Sequence, residues 1–258
     1  MRMGSTRSRG DLRSEALPAI QRWTGCSLAL AAGCSLAFAV ALTACTQVAG
    51  TSAPSLVRVI DASYIAPPLD ATAAGMTIAS NIGQGTITQY GTISPSASAV
   101  IAVTAASGGS ALAKTQASLV SGGQESIFVA DNGAAKNEFA VTVLEDQATA
   151  APKGESSFRF LNQAPKTGAV DVYMVPDGST LAKSTPLVQG LAVGGTTGYV
   201  SFNSESVTMV VTAAGSTKAK YTSKPIALVG GEVRTALILD TALTSNPAVA
   251  VFVGDDVN

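Results

Sequence analysis

Short apolar runs separated by turn-forming residues recur along most of the chain. The runs are rich in Val, Ile and Thr, and Gly, Pro, Asn, Asp and Ser lie between them. This pattern is typical of an all-β protein, because β-branched side chains pack well on a pleated sheet and the turn residues end each strand. In the first half it predicts strands at residues 56–60, 86–90, 99–104, 126–130 and 139–144, and shorter ones near Ala71 and Met76.

The segment "SALAKTQASL", residues 110–119, is open to two interpretations. Its Ala and Leu content would suit a short helix. Gly-Gly pairs flank it on both sides, however, and these favour an extended or irregular segment over a helix.

The second half of the chain repeats the first. "SLVRVID" from Ser55 matches "SSFRFLN" from Ser156, and "VTAASGG" from Val103 matches "VTAAGST" from Val211. A period near 100 residues is too long for a solenoid and indicates a duplicated domain. The offset grows from 101 to about 109, which predicts an insertion of seven or eight residues in the second copy. The equivalent polar pairs are Arg58 and Arg159, Asp61 and Asn162, and Asp70 and Asp171.

Each half supplies about seven predicted strands, the size and strand number of an immunoglobulin-like β-sandwich. We therefore predict two tandem sandwich domains, at residues 55–147 and 156–258. The stretch "EDQATAAPKGES", residues 145–156, is the predicted linker between them.

The second half also resembles a known family. "FRFLNQAPKTGAVDVYMVPDG", residues 158–178, is similar to the uncharacterised-domain family numbered 4397, whose members open with an Arg-containing strand followed by a Val-Asp-Val-Tyr strand. The first half has Leu69, Asp70 and Ala71 at the equivalent place and no tyrosine after them, so it resembles a degenerate copy. The resemblance implies a β-sandwich envelope module and no activity.

The N-terminus has the pattern of an export signal. A basic segment up to Arg22 precedes the uncharged run "GCSLALAAGCSLAFAVAL", residues 25–42. A run of this length could also anchor a protein in a membrane, although its many small residues make it a weak anchor. Leu42, Thr43, Ala44 and Cys45 then resemble the lipobox of bacterial lipoproteins.

This resemblance implies that Cys45 takes up a diacylglyceryl group, and that Leu42, Thr43 and Ala44 are recognised by the signal peptidase that cuts before it. Cys34, in "LAAGC", is a rival, but it leaves a shorter apolar region after Arg22 and lacks the branched residue. Arg7 and Arg9 are not adjacent, so the general secretory route is predicted rather than twin-arginine export.

A lipidated Cys45 predicts a cell-envelope location. Two or three acyl chains, palmitate among them, hold a protein durably at a membrane, whereas one holds it marginally. Residues 45–54 would form a short tether. Thr46 follows the cysteine and, in a Gram-negative host, would permit transfer from the periplasmic face of the inner membrane to the outer membrane.

Charge and composition exclude several function classes. From Cys45 onward the chain has 11 basic and 15 acidic residues, a net of −4, and no basic cluster, so a nucleic-acid partner is not expected. It has no histidine, which removes the commonest general base and metal ligand. The single Trp precedes Cys45, so a sugar site built on stacked indoles is excluded and a tyrosine platform is left open.

The candidate site residues in the body are Arg58, Asp70, Arg159, Asn162 and Asp171. A strand Arg could pair with a carboxylate of the same domain, and a structural role is favoured over a ligand site. "GDD", residues 254–256, is expected to be a solvated end. "AVGGTTG", residues 192–198, lacks the Lys of a phosphate loop and predicts a turn. We expect no cofactor and no metal.

Three functions fit this sequence. The favoured one is a lipid-anchored module that binds or scaffolds envelope proteins or glycans, without enzymatic activity. A hydrolase with a site between the domains is the second, and a purely structural spacer is the third. Fold alone does not choose among them.

Overall fold

Seventeen β-strands in four sheets make up the part of the chain that the computed structural model describes, residues 52–131 and 138–257. The proposed signal peptide, Leu42, Thr43, Ala44, Cys45 and most of the tether lie outside these residues. Within the same ranges, no helix has the length and apolar character needed to span a bilayer.

The first repeat is a sandwich of two four-stranded sheets. Its inner sheet has the order β4-β1-β7-β8 and its outer sheet the order β3-β2-β5-β6. The strands are β1 (Ser55–Asp61), β2 (Leu69–Ala73), β3 (Met76–Ile82), β4 (Gly91–Ile93), β5 (Ser96–Ala105), β6 (Ala111–Leu119), β7 (Gln124–Asp131) and β8 (Phe139–Glu145).

The second repeat has the same plan. Its inner sheet has the order β12-β9-β16-β17, and its outer sheet has the order β11-β10-β13-β14 with β15 beside β13. The strands are β9 (Glu155–Gln163), β10 (Val170–Pro176), β11 (Val188–Leu191), β12 (Val200–Asn203), β13 (Ser206–Ala213), β14 (Ala219–Thr222), β15 (Ile226–Ala227), β16 (Val233–Asp240) and β17 (Val249–Val257).

A parallel strand pair lies at the centre of each inner sheet. β1 pairs with β7 so that Arg58 is opposite Ser126, and β9 pairs with β16 so that Arg159 is opposite Thr235. The other ladders within the two sandwiches are antiparallel. Arg58 and Arg159 therefore occupy the same position in the inner sheets of the two repeats.

The central strands of the two inner sheets are buried on both faces. On β1, Val57 and Val59 belong to the core of the first sandwich, whereas Ile60 belongs to a separate apolar cluster that unites the repeats. Leu161 and Leu237 bring the second repeat into that cluster. Because side chains alternate across a strand, a strand covered on both sides is buried at nearly every position, as β1 and β9 are.

The predicted fold, all-β with two tandem immunoglobulin-like β-sandwiches, is confirmed. Most predicted strands are present, and residues 110–119 are extended, forming β6. The strand predicted at residues 86–90 is wrong: Ile87 makes only an isolated bridge to Ile60, and the strand of this region is β4, which follows it. The Val59 N–H donates to the Thr88 hydroxyl and not to a backbone carbonyl of this segment. Residues 86–90 therefore contact β1 through separate hydrogen bonds and do not form a continuous β-ladder with it.

The length difference between the repeats lies between two outer-sheet strands. In the first repeat, β2 and β3 are joined by Ala74 and Gly75, both with positive φ, as in a tight hairpin. In the second, residues 177–187 connect β10 to β11 and include the short 3-10 helix Leu181–Lys183. Leu181 packs against Tyr173 and Val175 on the outer face of the sheet.

Candidate functional site

Two arginines and two aspartates form a buried network between the repeats. Arg58 lies on β1 and Arg159 on β9, and both point away from their own sandwich cores toward the facing inner sheet. Asp146 follows β8, and Asp256 lies near the end of β17. All four side chains are at most 4% exposed, and two cations face two carboxylates, so the charges balance.

Each arginine reaches across to a carboxylate at the end of the other repeat's last strand. Arg58 Nη2 donates to Asp256 Oδ1, and Arg159 Nη2 donates to Asp146 Oδ1. The backbone repeats the exchange, because Arg58 Nη1 donates to the Asp255 carbonyl and Arg159 Nη1 to the Glu145 carbonyl, both at 3.1 Å. The two halves are thus related by a pseudo-twofold axis that passes between the inner sheets.

Hydroxyl groups at equivalent positions complete the hydrogen bonds of the carboxylates. Tyr90 and Ser126 donate to Asp146 Oδ2, and Tyr199 and Thr235 donate to Asp256 Oδ2. Each tyrosine ring also lies beside the arginine of its own repeat. The Arg58 guanidinium carbon is 4.7 Å from the Tyr90 ring centroid, and that of Arg159 is 5.0 Å from the Tyr199 centroid.

The symmetry of the network is imperfect at the arginine Nε atoms. Arg58 Nε donates to the Ser126 hydroxyl at 2.8 Å. Thr235, the equivalent of Ser126, accepts instead from Nη2 of both arginines at 3.1 Å. Arg159 Nε is consequently buried without a hydrogen-bond partner.

Burial dominates the acid-base behaviour of these groups. It raises the pKa of the Asp256 carboxyl, although the Arg58 guanidinium and the Tyr199 and Thr235 hydroxyl groups act in the opposite direction. Burial also raises the pKa of the Tyr90 and Tyr199 hydroxyl groups, against the attraction of the neighbouring arginines. The tyrosines therefore stay protonated and act as donors to the carboxylates.

The arrangement is a structural cross-link, because its ion pairs join one repeat to the other. Desolvation of buried charges offsets much of their attraction, so the network need not stabilise the protein more than an apolar contact would. Removal of one member, by contrast, leaves an uncompensated charge in a dry interface. The network therefore specifies how the two inner sheets face each other.

The structure corrects two sequence-based expectations about these residues. A same-domain carboxylate was the expected partner of a strand arginine, and Arg58 has one, because its Nε lies 3.7 Å from Asp146. The closest ion pairs of Arg58 and Arg159, however, are with a carboxylate near the last strand of the other repeat. "GDD" is not a solvated end, because the Asp256 side chain is fully buried and the residue lies within β17. Only Asp255, whose side chain is 50% exposed, faces solvent there.

The remaining candidates lie away from the network and bind backbone groups. Asn162 Oδ1 accepts the Ala164 N–H, and its Nδ2 donates to the Gly168 and Leu191 carbonyls. Its equivalent Asp61 accepts the Ser63 N–H, and burial raises the pKa of this carboxyl to about 6. Both side chains hold the chain as it leaves its first strand.

Asp70 and Asp171 fix the outer sheets in the same way. Asp171 accepts the N–H groups of Gly190 and Gly215 and is 2% exposed. Asp70 accepts only that of Asn81, at the position equivalent to Gly190. Across the described ranges, no group of three or more His, Cys, Asp or Glu side chains is arranged to hold a metal ion.

The other end of the interface is linked by a residue that has no counterpart. The Tyr64 hydroxyl donates to the Gln163 carbonyl and accepts the Asp240 N–H, so a side chain of the first repeat joins two strands of the second. Pro165 occupies the equivalent position in the second repeat.

Sequence reasoning missed Tyr90, Asp146, Ser126, Tyr199 and Thr235. A signal was present, since Tyr90 and Tyr199 are separated by 109 residues and Asp146 and Asp256 by 110, close to the offset of the later repeat matches. Asp146 was hidden because it falls in the stretch predicted as a linker.

A family model matches the part of the chain that holds most of this network. Residues 55–173 match the Domain of unknown function (DUF4397). The DUF4397 match confirms the resemblance seen in the sequence, although it covers the whole first repeat and, of the second, only β9 and the first four residues of β10. It therefore includes both arginines and Asp146, while Asp256 lies beyond it.

Other comparisons add little to the DUF4397 match. No curated protein matches the chain. One solved structure with similarity is CBMbc, of family CBM26, from Eubacterium rectale Amy13K in complex with maltoheptaose. It is 11% identical, over 76% of this chain and 96% of that one, with a TM-score of 0.24. A TM-score this low supports no inference about a ligand.

Proposed function

We propose that this protein is a membrane-anchored cell-envelope lipoprotein whose two sandwiches act together as a rigid binding or scaffolding module. The observation that carries the module is the buried Arg58, Arg159, Asp146 and Asp256 network. It opposes independent movement of the repeats, because any rotation between them would separate buried charges. A rigid pair of sandwiches can present loops and sheet edges at fixed positions to a partner.

The proposed anchor is Cys45, in the lipobox-like sequence Leu42, Thr43, Ala44. β1 begins at Ser55, ten positions later. A fully extended tether of about ten residues spans at most roughly 35 Å, so the module would lie close to the membrane surface. We propose the outer membrane as its location in a Gram-negative host.

The network also favours a binding module over a hydrolase with a site between the repeats. The polar groups that such a site would use already bind one another, and a substrate would have to displace buried ion pairs to reach them. We therefore propose that the protein is not an enzyme. Envelope proteins or glycans are the proposed partners.

The anchor is tested by metabolic labelling with a fatty acid. We expect label on the wild type, none on Cys45→Ser, and wild-type labelling of Cys34→Ser, which is the matched control in the same apolar stretch. Label that persists on Cys45→Ser and disappears from Cys34→Ser would refute the assignment of Cys45.

The binding role is tested by site-specific photo-crosslinking in intact cells. A photoreactive residue at exposed Val193 or exposed Val229 samples two loops of the second repeat. A binding module should give a discrete product of constant mass from one position and none from the other. A consistent lack of products from positions over the whole surface would favour the structural spacer.

A further inference from the structure

Two equivalent recesses flank the interface between the repeats. We call the first, formed by Gly85, Ile87, Phe252 and Gly254, the filled recess. We call the second, lined by Gly194, Thr196, Thr142, Leu144, Phe128 and Leu161 among others, the open recess. Each is built from a turn of one repeat and the last strand of the inner sheet of the other.

Backbone pairing establishes the equivalence of the recesses. Gly85 donates its N–H to the Asp61 carbonyl, and Gly194 donates its N–H to that of Asn162. Ile87 bridges to Ile60 as Thr196 bridges to Leu161.

The strand ladders complete this correspondence. Ile60 is opposite Phe128, and Phe128 is opposite Thr142. Leu161 is opposite Leu237, and Leu237 is opposite Phe252. Thr142 and Phe252 are therefore counterparts.

The filled recess contains a phenyl ring. The Phe252 ring packs so closely on Gly85 that a Cβ on this glycine would lie 2.6 Å from a ring atom. Phe252 is 38% exposed, so its ring enters from the molecular surface. Gly254 gives the strand room to approach, since a Cβ there would lie 2.6 Å from Ile87 Cγ2.

The open recess lacks this ring. Thr142 is too short to reach Gly194, and a Cβ on Gly194 would meet nothing within 4 Å. A cavity of about 140 Å³ is left, lined by apolar side chains, two threonines and two glycines, with no charged group. A cavity of about 150 Å³ is known to hold one benzene molecule. The open recess thus has the size of one aromatic ring.

The rim of the open recess faces solvent. Thr142 and Gly194 are both exposed. Val193 precedes Gly194 and is 42% exposed, whereas its counterpart beside the filled recess is the polar Gln84. β8, which carries Thr142, is the edge strand of its sheet, so an extended segment of another chain can lie beside it.

We propose that the open recess binds the phenyl ring of a phenylalanine side chain on a partner polypeptide, in the way that the filled recess holds Phe252. The proposal rests on the binding role suggested above and names the chemistry of the partner. A buried aromatic anchor of this kind commonly dominates the affinity of a protein interface.

The test uses the full chain, labelled with ¹⁵N-glycine and held in detergent micelles, with N-acetyl-phenylalanine amide as the probe. We expect saturable shifts of the Gly194 and Gly195 amide signals at millimolar probe, and no shift of Gly85, because Phe252 already covers it. N-acetyl-alanine amide should shift none of the three.

Two variants exchange the properties of the recesses. Thr142→Phe should fill the open recess from within and weaken the probe at least ~10-fold. Phe252→Ala should open the filled recess, so that Gly85 then shifts with the probe. If Thr142→Phe does not fold, Thr196→Ile, which copies Ile87, is expected to narrow the recess and weaken binding.

Three results would overturn the proposal. The first is an unshifted Gly194 in the wild type, and the second is undiminished binding to the folded Thr142→Phe variant. The third is binding of toluene without binding of the amide, which would mean that a free ring fits and a polypeptide does not. A discrete crosslinked partner together with any of these would leave the binding module standing and remove only this site.

Discussion

The two repeats share the arginines, tyrosines and aspartates of the buried network and differ at the apolar positions beside it. Arg58 and Arg159, Tyr90 and Tyr199, and Asp146 and Asp256 are identical pairs with matching contacts. The positions beside the network have diverged. The first repeat, for example, has Thr142 where the second has Phe252.

This contrast follows from the different costs of the two kinds of change. A buried charge that loses its partner costs several kcal/mol, about 3–5, whereas an apolar gap at a half-exposed position costs far less. The polar network therefore tolerates little variation, while the recesses beside it can vary and acquire separate roles.

The largest expected effect is that of breaking the network. Asp256→Ala should lower the free energy of unfolding by about 3–5 kcal/mol, because Arg58 keeps a buried charge without its carboxylate. Chemical denaturation monitored by tyrosine fluorescence or circular dichroism measures the change.

The matched control is the adjacent Asp255→Ala. The Asp255 carboxylate pairs with Arg234 at 3.0 Å but is half exposed, so its loss should cost no more than about 1 kcal/mol. Equal costs for the two variants would contradict the role given to the network. Asp146→Ala should resemble Asp256→Ala, since the two carboxylates are counterparts.

The next effect concerns Asp61, whose equivalent in the second repeat is Asn162, an amide in place of a carboxylate. Asp61→Asn copies Asn162 and removes a carboxylate whose pKa is raised by burial to about 6 from 3.8. At neutral pH the variant should be more stable than the wild type, by about 3 kcal/mol at most.

The pH dependence gives the sign of this effect. A folded-state pKa above the unfolded value means that the folded protein binds more protons, so the wild type loses stability as the pH rises from about 4 to about 6. Thermal melts at pH 4 and pH 7 should show a smaller loss of stability in Asp61→Asn than in the wild type, because only the contribution of Asp61 is removed. A variant no more stable than the wild type at pH 7 would contradict the account.

The smallest effect compares the glycines of the two recesses. Gly85 and Gly194 have φ of +80° and +77°, so an alanine at either position is strained by about 1–2 kcal/mol. Gly85→Ala must in addition displace the Phe252 ring, and Gly194→Ala meets open space. We expect Gly85→Ala to be the more destabilising in paired denaturation curves, and equal losses would contradict the difference between the recesses.

The sequence predicted the positions of the strands better than the contacts between the two repeats. Alternation and turn residues located β1, β5, β7 and β8, because these features are local. Two partners of Arg58, Thr235 and Asp256, are 177 and 198 residues away, a separation about which local pattern carries no information.

Contacts between the two repeats explain the other errors. Residues 86–90 have strand-like composition because they pack under the interface, and the predicted linker hides Asp146 for the same reason. Internal repetition was the exception, since it paired Arg58 with Arg159 and Asp61 with Asn162 before any contact was known.

The parallel pairing of β1 with β7, and of β9 with β16, sets an order of events for folding. The first strand of each sandwich cannot complete its sheet until a strand near the end of the same repeat has been synthesised. Such pairing between strands far apart in sequence gives these domains the high contact order that slows folding. Arg58, near the start of the described chain, meets its carboxylate only when Asp256 arrives. A nascent chain that has completed its first sandwich therefore still carries an exposed arginine and apolar face, and the second sandwich is both its partner and its cover.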